Sequence, residues 1–249
     1  MASFFNTFFY QPLYNGLIFL FNVIPWADAG MIVVLFTIIV KLILFPLSYK
    51  SAKTQVKMKK FEPELKKIRE ENKDRQEQAL KIMELYRKEG INPFMSLVLI
   101  FVQLPIVFAL YYIFLKSGLP SVNVELLYQP YITVPTNIKM EFLGLIDIGG
   151  KSLVLALFAA VSSFLQLRFS VPAMPKRESN ASFKDDLART MNIQMRYIFP
   201  IIVFFISYNI SGAVALYWFT SNIFTIGQEL YVKKRLTGPS ASPAPSVSA

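Results

Sequence analysis

The sequence predicts an all-α integral membrane protein. Five transmembrane helices run with the N-terminus outside and the C-terminus in the cytoplasm, a cytoplasmic helical hairpin follows the first, and an interfacial helix precedes it. Three observations carry this reading. Hydrophobic residues make up 54% of the 249, aromatics 15%, and mean hydropathy is +0.43, well beyond a soluble domain of ordinary composition. Apolar runs long enough to cross a bilayer occur at 29–48, 93–115, 151–170, 191–209 and 212–232. Lysine and arginine are sorted by loop: none before Lys41, thirteen in 50–90, three in 116–151, six in 168–196 and three at 233–235. Alternate loops are basic, which puts 50–90, 168–196 and the C-terminus in the cytoplasm and 116–150 outside.

The elements follow in order. Residues 1–28 are aromatic and apolar but interrupted by Asn6, Gln11, Pro12, Asn15 and Asn22, which reads as an amphipathic helix in the outer interface. The rival reading, a signal peptide cut near Ala27-Asp-Ala29, lacks its basic n-region. After span 1 (29–48), residues 49–92 place Met58, Phe61, Leu65 and Ile68 at 3-4-3 spacing, then Asn72-Lys-Asp-Arg75, then Ala79, Ile82 or Met83, and Tyr86. That pattern predicts a two-helix coiled-coil hairpin. It is either a solvated charged arm with no chemistry of its own or a docking arm for ribosome, substrate or anionic lipid, given thirteen basic against eight acidic side chains in 50–90.

Span 2 (93–115) contains Pro105, which frees a backbone carbonyl. The outer loop 116–150 has prolines and Gly144 and no clear period. Span 3 (151–170), a cytoplasmic loop (171–190) and span 4 (191–209) follow. Asn209-Ile-Ser-Gly212 leaves room only for a tight turn into span 5 (212–232), so Ser211-Gly212 is a helix boundary. The Ser/Pro/Ala-rich tail (233–249) is low-complexity and predicts disorder.

The first span holds the one charge that needs a reason. Between Met31 and Leu47 the run is uncharged except for Lys41, and a lysine at a span's centre costs roughly 2.5 to 3.5 kcal/mol on translocon scales. Two readings fit its position. If the helix ends near Pro46 to Ser48, Lys41 lies roughly 10 Å from the boundary, within snorkelling reach; alternatively it faces a wet cavity. Further polar groups sit in the runs: Thr37, Gln103, Ser162, Ser163, Gln166, Asn209, Thr220, Ser221, Asn222 and Gln228. Each alone is accounted for by an interhelical hydrogen bond; the set, beside a lysine with no intramembrane acid but Glu229, is more economically a shared wet groove. Trp218 fits either an interfacial belt or the groove's outer closure.

Several classes of chemistry are excluded. The chain has no cysteine and no histidine, which removes Cys nucleophiles, Ser-His catalysis, His-ligated metals and disulfides. It has no Gly-rich phosphate loop. No catalytic residue, metal ligand or cofactor is expected, and the chain does not read as an enzyme. The net charge of +10 is sorted across a membrane and predicts no specific nucleic-acid partner.

The order of elements and several strings resemble the YidC-type membrane protein insertase family of the YidC/Oxa/Alb superfamily. They are Phe45-Pro-Leu47, Phe61-Glu-Pro-Glu-Leu65, Tyr86-Arg-Lys-Glu-Gly-Ile-Asn-Pro93, Gln103-Leu-Pro105, Ala109-Leu-Tyr-Tyr112, Phe164-Leu-Gln166, Leu216-Tyr-Trp-Phe-Thr-Ser-Asn222 and Ile226-Gly-Gln228. The resemblance runs from about residue 11 to 232 and is to short forms without the large outer domain of some members. It implies a five-helix core around a hydrophilic groove, open to cytoplasm and lipid and closed outside, along which nascent membrane proteins slide. Lys41 stands where the family commonly has Arg. Lysine keeps the charge but loses the bidentate fork.

The groove and substrate-binding residues expected on this basis are Lys41, Gln103, Gln166, Trp218, Thr220 and Asn222, with Phe61, Glu62, Pro63, Leu65 and Tyr86 in the docking hairpin. The expected partners are nascent membrane proteins and the bilayer, with ribosome and a Sec-type translocon as further candidates. Short of a long basic C-terminal extension, stable ribosome tethering through the tail is not expected. Absence of an Arg-rich presequence points to a bacterial plasma (inner) membrane. Two rivals stay open: a small transporter or channel with Lys41 in its substrate site, against which stand five spans and no inverted repeat, and a scaffold whose Lys41 only snorkels.

Overall fold

The computed structural model describes residues 2–72, 74–92, 94–115, 119–170, 190 and 193–237. The chain divides into two compact units, Met1–Ile43 with Phe101–Ile226, and Leu44–Ile100 with Gly227–Ala249.

The first unit begins with α1 (Ala2–Phe5), a π-helical turn (Asn6–Tyr10) and α2 (Gln11–Val23), followed by α3 (Ala29–Ile43). It also takes most of α7 (Met95–Leu115), a two-residue antiparallel pair, β1 (Glu141–Phe142) and β2 (Ile146–Asp147), and α8 (Leu153–Ser170). A π-helical segment (Gln194–Ile198), α9 (Phe199–Ile210) and most of α10 (Gly212–Thr237) complete it. The second unit contains α4 (Phe45–Lys60), α5 (Glu62–Glu71) and α6 (Arg75–Lys88).

Prolines decide several boundaries. Pro12, Pro46, Pro63 and Pro200 are each the second residue of their helix; Pro46 and Pro63 stand in a first turn, where proline is tolerated, while Pro12 and Pro200 directly follow π-helical turns. Pro46 has a consequence for the run 29–48, which is not one helix. α3 stops at Ile43, Leu44 stands between, and α4 starts at Phe45. A continuous helix would drive the proline ring into the Leu42 carbonyl and forfeit that hydrogen bond. Pro105, by contrast, lies inside α7, which runs unbroken from Met95 to Leu115.

Among the described residues, α8 is by itself long and apolar enough to cross a bilayer. α3 and α4 qualify only taken together, and Phe101–Phe114 and Gln194–Ile210 are shorter apolar stretches. Length and apolarity alone therefore mark fewer spans than the five expected from the sequence. The loop 171–189 and the tail 238–249 lie outside the described residues.

The N-terminal helix is built into the fold. Tyr14, Leu17 and Ile18 are fully buried, and α2 packs on α3. Its amides, which break the apolar pattern in the sequence, are hooks for the loop that precedes α8. Asn15 Nδ2 donates to the Leu126 carbonyl at 2.7 Å and to the Gln11 carbonyl at 2.8 Å, while its Oδ1 accepts from the Tyr128 N–H at 2.8 Å. Gln11 Nε2 donates to the same Leu126 carbonyl, and Asn22 Nδ2 to the Thr133 carbonyl. The Tyr14 hydroxyl accepts from the Asn123 N–H at 2.7 Å; burial pushes this phenol above its ordinary value, with that hydrogen bond acting in the opposite sense.

The β1–β2 turn seats against two helix starts. A Cβ on Gly30, the second residue of α3, would lie 2.5 Å from the Phe142 side chain and 2.7 Å from its Cα. A Cβ on Gly212, the first residue of α10, would lie 2.9 Å from Ile148 Cα. The Gly212 N–H donates to the Gly150 carbonyl and the Ala213 N–H to the Ile148 carbonyl, so the strand turn occupies donors that an α-helix leaves open at its N-terminus. Asp28 caps α3 through the Met31 N–H at 2.7 Å.

α8 presents two sides. Leu155, Ala156, Ala159, Ser162, Ser163 and Leu167 are buried at helical spacing, whereas Leu157, Phe158, Val161 and Leu165 are exposed. Small residues on the buried side let backbones approach, and α9 packs along this helix.

Candidate functional site

Several polar residues of the apolar helices converge on one stretch of α10, from Tyr217 to Thr225, about 12 Å of helix at 1.5 Å per residue. Three helices reach it. From α3, Lys41 Nζ donates to Thr225 Oγ1 at 3.3 Å, and Thr225 Oγ1 donates to the Ser221 carbonyl at 2.8 Å. From α7, Gln103 Nε2 donates to the Tyr217 hydroxyl. On α8, Ser163 and Ser162 accept from Asn222 Nδ2 at 2.8 and 3.0 Å.

Lys41 is half-buried in the last turn of α3. A cation near a helix C-terminus is favoured by the helix dipole. Among the described residues no carboxylate pairs with it, and Thr225 is its hydrogen-bond partner. Its charge is therefore met by a neutral hydroxyl.

The other expected residues divide. Gln103 and Asn222 bond to neighbouring helices, the arrangement that also serves packing alone. Gln166 is not brought to this seam: its Nε2 donates within α8, to Ser170 Oγ at 2.7 Å. Trp218 and Thr220 are half-buried on α10 beside it. Sequence reading passed over Thr225 altogether. The signal lay in its spacing, four residues after Ser221, which puts the two on one side of α10.

The hairpin residues belong to the second unit. Phe61 joins α4 to α5, with φ −91 and ψ 4 at the junction, so the arm consists of three helices. Glu62 and Glu64 stand in the first turn of α5, where the dipole favours acids, and Pro63 is its second residue. Leu65 is buried. Tyr86 is half-buried, and its carbonyl accepts from the Ile91 N–H at 2.8 Å. With the Gly90 N–H donating to the Arg87 carbonyl and Gly90 at φ +59, this is a Schellman stop. It accounts physically for the string Tyr86 to Ile91. Gln78 Nε2 donates to the Arg69 carbonyl and Lys81 Nζ to Asn72 Oδ1, tying α6 to α5, and Lys57 Nζ donates to the Glu89 carbonyl. The same unit holds Ser48 against Gln228, with Gln228 Nε2 donating to Ser48 Oγ at 2.7 Å.

Comparison with known proteins places these strings. A membrane protein insertase YidC of Fusobacterium nucleatum is 32% identical over 232 residues, 92% of this chain and 98% of the relative. The YidC insertase of Pelobacter propionicus is 30% identical over 82% of this chain but 35% of its own length; the chain spans about a third of such longer relatives. Among solved structures, an active YidC insertase with its first transmembrane domain resolved matches with a TM-score of 0.57 at 22% identity, over 89% of this chain and 46% of that one, a likeness of fold. The model of the 60Kd inner membrane protein family matches residues 19–239, and the chain belongs to that family.

Proposed function

We propose that this protein is a membrane protein insertase and chaperone of a bacterial inner membrane, in which Lys41 lines a hydrophilic groove. The observation that carries this reading is the Lys41 ammonium, set in an apolar helix with a threonine hydroxyl for a partner. An ion in such a place is stabilised by water or by a visiting opposite charge. The insertase names of the relatives support the same reading.

No covalent chemistry and no nucleotide enter the mechanism. The short hydrophilic segment of a nascent membrane protein, often acidic, enters from the cytoplasm and is drawn by Lys41. The groove shortens its passage through hydrocarbon, and the adjoining apolar helix then partitions sideways into lipid. Transfer of apolar surface drives the step, helped by a membrane potential worth about 2.3 kcal/mol per charge per 100 mV. The 15 residues of α3 measure about 22 Å, less than the roughly 30 Å of hydrocarbon, and a short helix thins the bilayer around it. In this reading five helices span, with the N-terminus outside and the C-terminus in the cytoplasm, the α4–α6 arm docks ribosome, substrate or anionic lipid, and a Sec-type translocon is a further candidate partner.

Because the chain has no cysteine, single cysteines placed around position 41 test the groove. Labelling in membranes by an impermeant thiol reagent from the cytoplasmic side only is expected. Protection from both sides, or labelling from the outer side, contradicts the groove.

A further inference from the structure

The outer loop carries apolar side chains where a water-exposed turn has no use for them. At the tip of the β1–β2 turn, Leu143 is 59% and Leu145 84% exposed, on either side of Gly144. Leu143 also holds φ +55, a left-handed conformation that an ordinary side chain disfavours. Asn or Gly at that position would be easier on the backbone and better solvated.

The depth of this tip is fixed by its anchors. Phe142, the residue before Leu143, packs on Gly30 one residue into α3, and the Ala29 N–H donates to the Lys139 carbonyl at 2.8 Å. On the other side Ile148 packs on Gly212 at the start of α10. Leu143 and Leu145 thus lie within three residues of contacts with the first turns of two apolar helices. Trp26, two residues before the Asp28 cap of α3, is 75% exposed at that same end, as suits a tryptophan at the lipid headgroups.

We infer that Leu143 and Leu145 are seated in the interfacial region of the outer leaflet, so that the turn clasping the starts of α3 and α10 is anchored in lipid. The occupant of this surface is the bilayer. The apolar side chains lie beside helix starts whose neighbouring exposed residues, such as Leu153 and Val154 of α8, continue the same apolar character. The inference rests on the proposed outward placement of residues 116–150.

The test uses Leu143→Cys and Leu145→Cys, each the sole cysteine of the full chain, labelled with a nitroxide and reconstituted in phosphatidylethanolamine/phosphatidylglycerol vesicles. Collision with oxygen is expected to exceed collision with a water-soluble nickel chelate several-fold at both positions. Equal access to the chelate, as for a free aqueous label, overturns the inference, and so does exclusion of both reagents, which signals a protein partner over the tip. Glu125→Cys, exposed on the same loop, reports separately on sidedness through an impermeant maleimide. Its labelling from the cytoplasmic side would remove the outward placement, whatever the depth of the leucines.

Discussion

Asn222 and Ser163 join α10 to α8 through a hydrogen bond of 2.8 Å, and the same amide reaches Ser162 at 3.0 Å. The amide thus spends both of its N–H groups between helices that also meet through the rings of Phe158 and Phe219, whose centroids are 5.6 Å apart. Intramembrane hydrogen bonds average about 0.6 kcal/mol, and Ser162 keeps its bond to the Ala159 carbonyl. Asn222→Leu is therefore expected to cost about 1 kcal/mol in SDS-induced unfolding followed by circular dichroism. An unchanged midpoint would show that the contact adds nothing to stability.

Gly30→Ala tests the clasp between the β1–β2 turn and α3. The new methyl would stand 2.5 Å from the Phe142 side chain and 2.7 Å from its Cα, so backbone must move. The expected loss is about 1 to 3 kcal/mol. Phe142→Ala in the same chain should recover only part of it, because the Cα remains. Full recovery would mean that the ring alone makes the clash.

Gly90→Ala isolates a backbone effect in the α4–α6 arm. A Cβ at Gly90 meets nothing within 4 Å, yet φ is +59. The cost is the left-handed conformation itself, about 1 to 2 kcal/mol, and Gly90→Asn should cost less. Faster exchange of the Ile91 amide in the alanine variant, measured by hydrogen–deuterium exchange, is the expected sign. Equal exchange in both variants and the parent would argue against the Schellman stop.

Asn15→Leu removes the acceptor of the Tyr128 N–H, whereas the Leu126 carbonyl keeps Gln11 as a donor. Leaving the amide without its acceptor costs about 1 to 3 kcal/mol. Protection should fall at Tyr128 and not at Asn123, whose N–H is held by Tyr14. A loss spread evenly over residues 119–135 would contradict this local account.

What the sequence made legible was mainly what a single residue or a short string declares. Lys41 is visible because a charge in an apolar run is rare, and the family strings carry their own stops and starts, as Gly90 shows. Pro46 also marked a helix start, but the apolar run around it concealed the break at Leu44. The role of Asn15 was hidden for another reason. Amides within an apolar segment look like interruptions when their partners lie 111 and 113 residues away. The β1–β2 turn left no pattern either, since two residues are too few for alternation to register. Of the expected groove residues, Gln166 illustrates the limit of composition: its type suits a wet groove, yet its partner is one turn along its own helix.

The charge of Lys41 is the central claim, and insertion in proteoliposomes tests it most directly, using a single-span protein whose outer segment is acidic. At an effective dielectric of about 20, a unit charge about 8 Å away interacts by about 2 kcal/mol. Reversing the sign replaces that attraction with an equal repulsion, a change of about 4 kcal/mol, so insertion should slow by well over tenfold, each tenfold being about 1.4 kcal/mol. Lys41→Glu is expected to show that loss and Lys41→Arg to insert the substrate as the parent does, at matched protein levels. Parent-like insertion by Lys41→Glu would contradict the account.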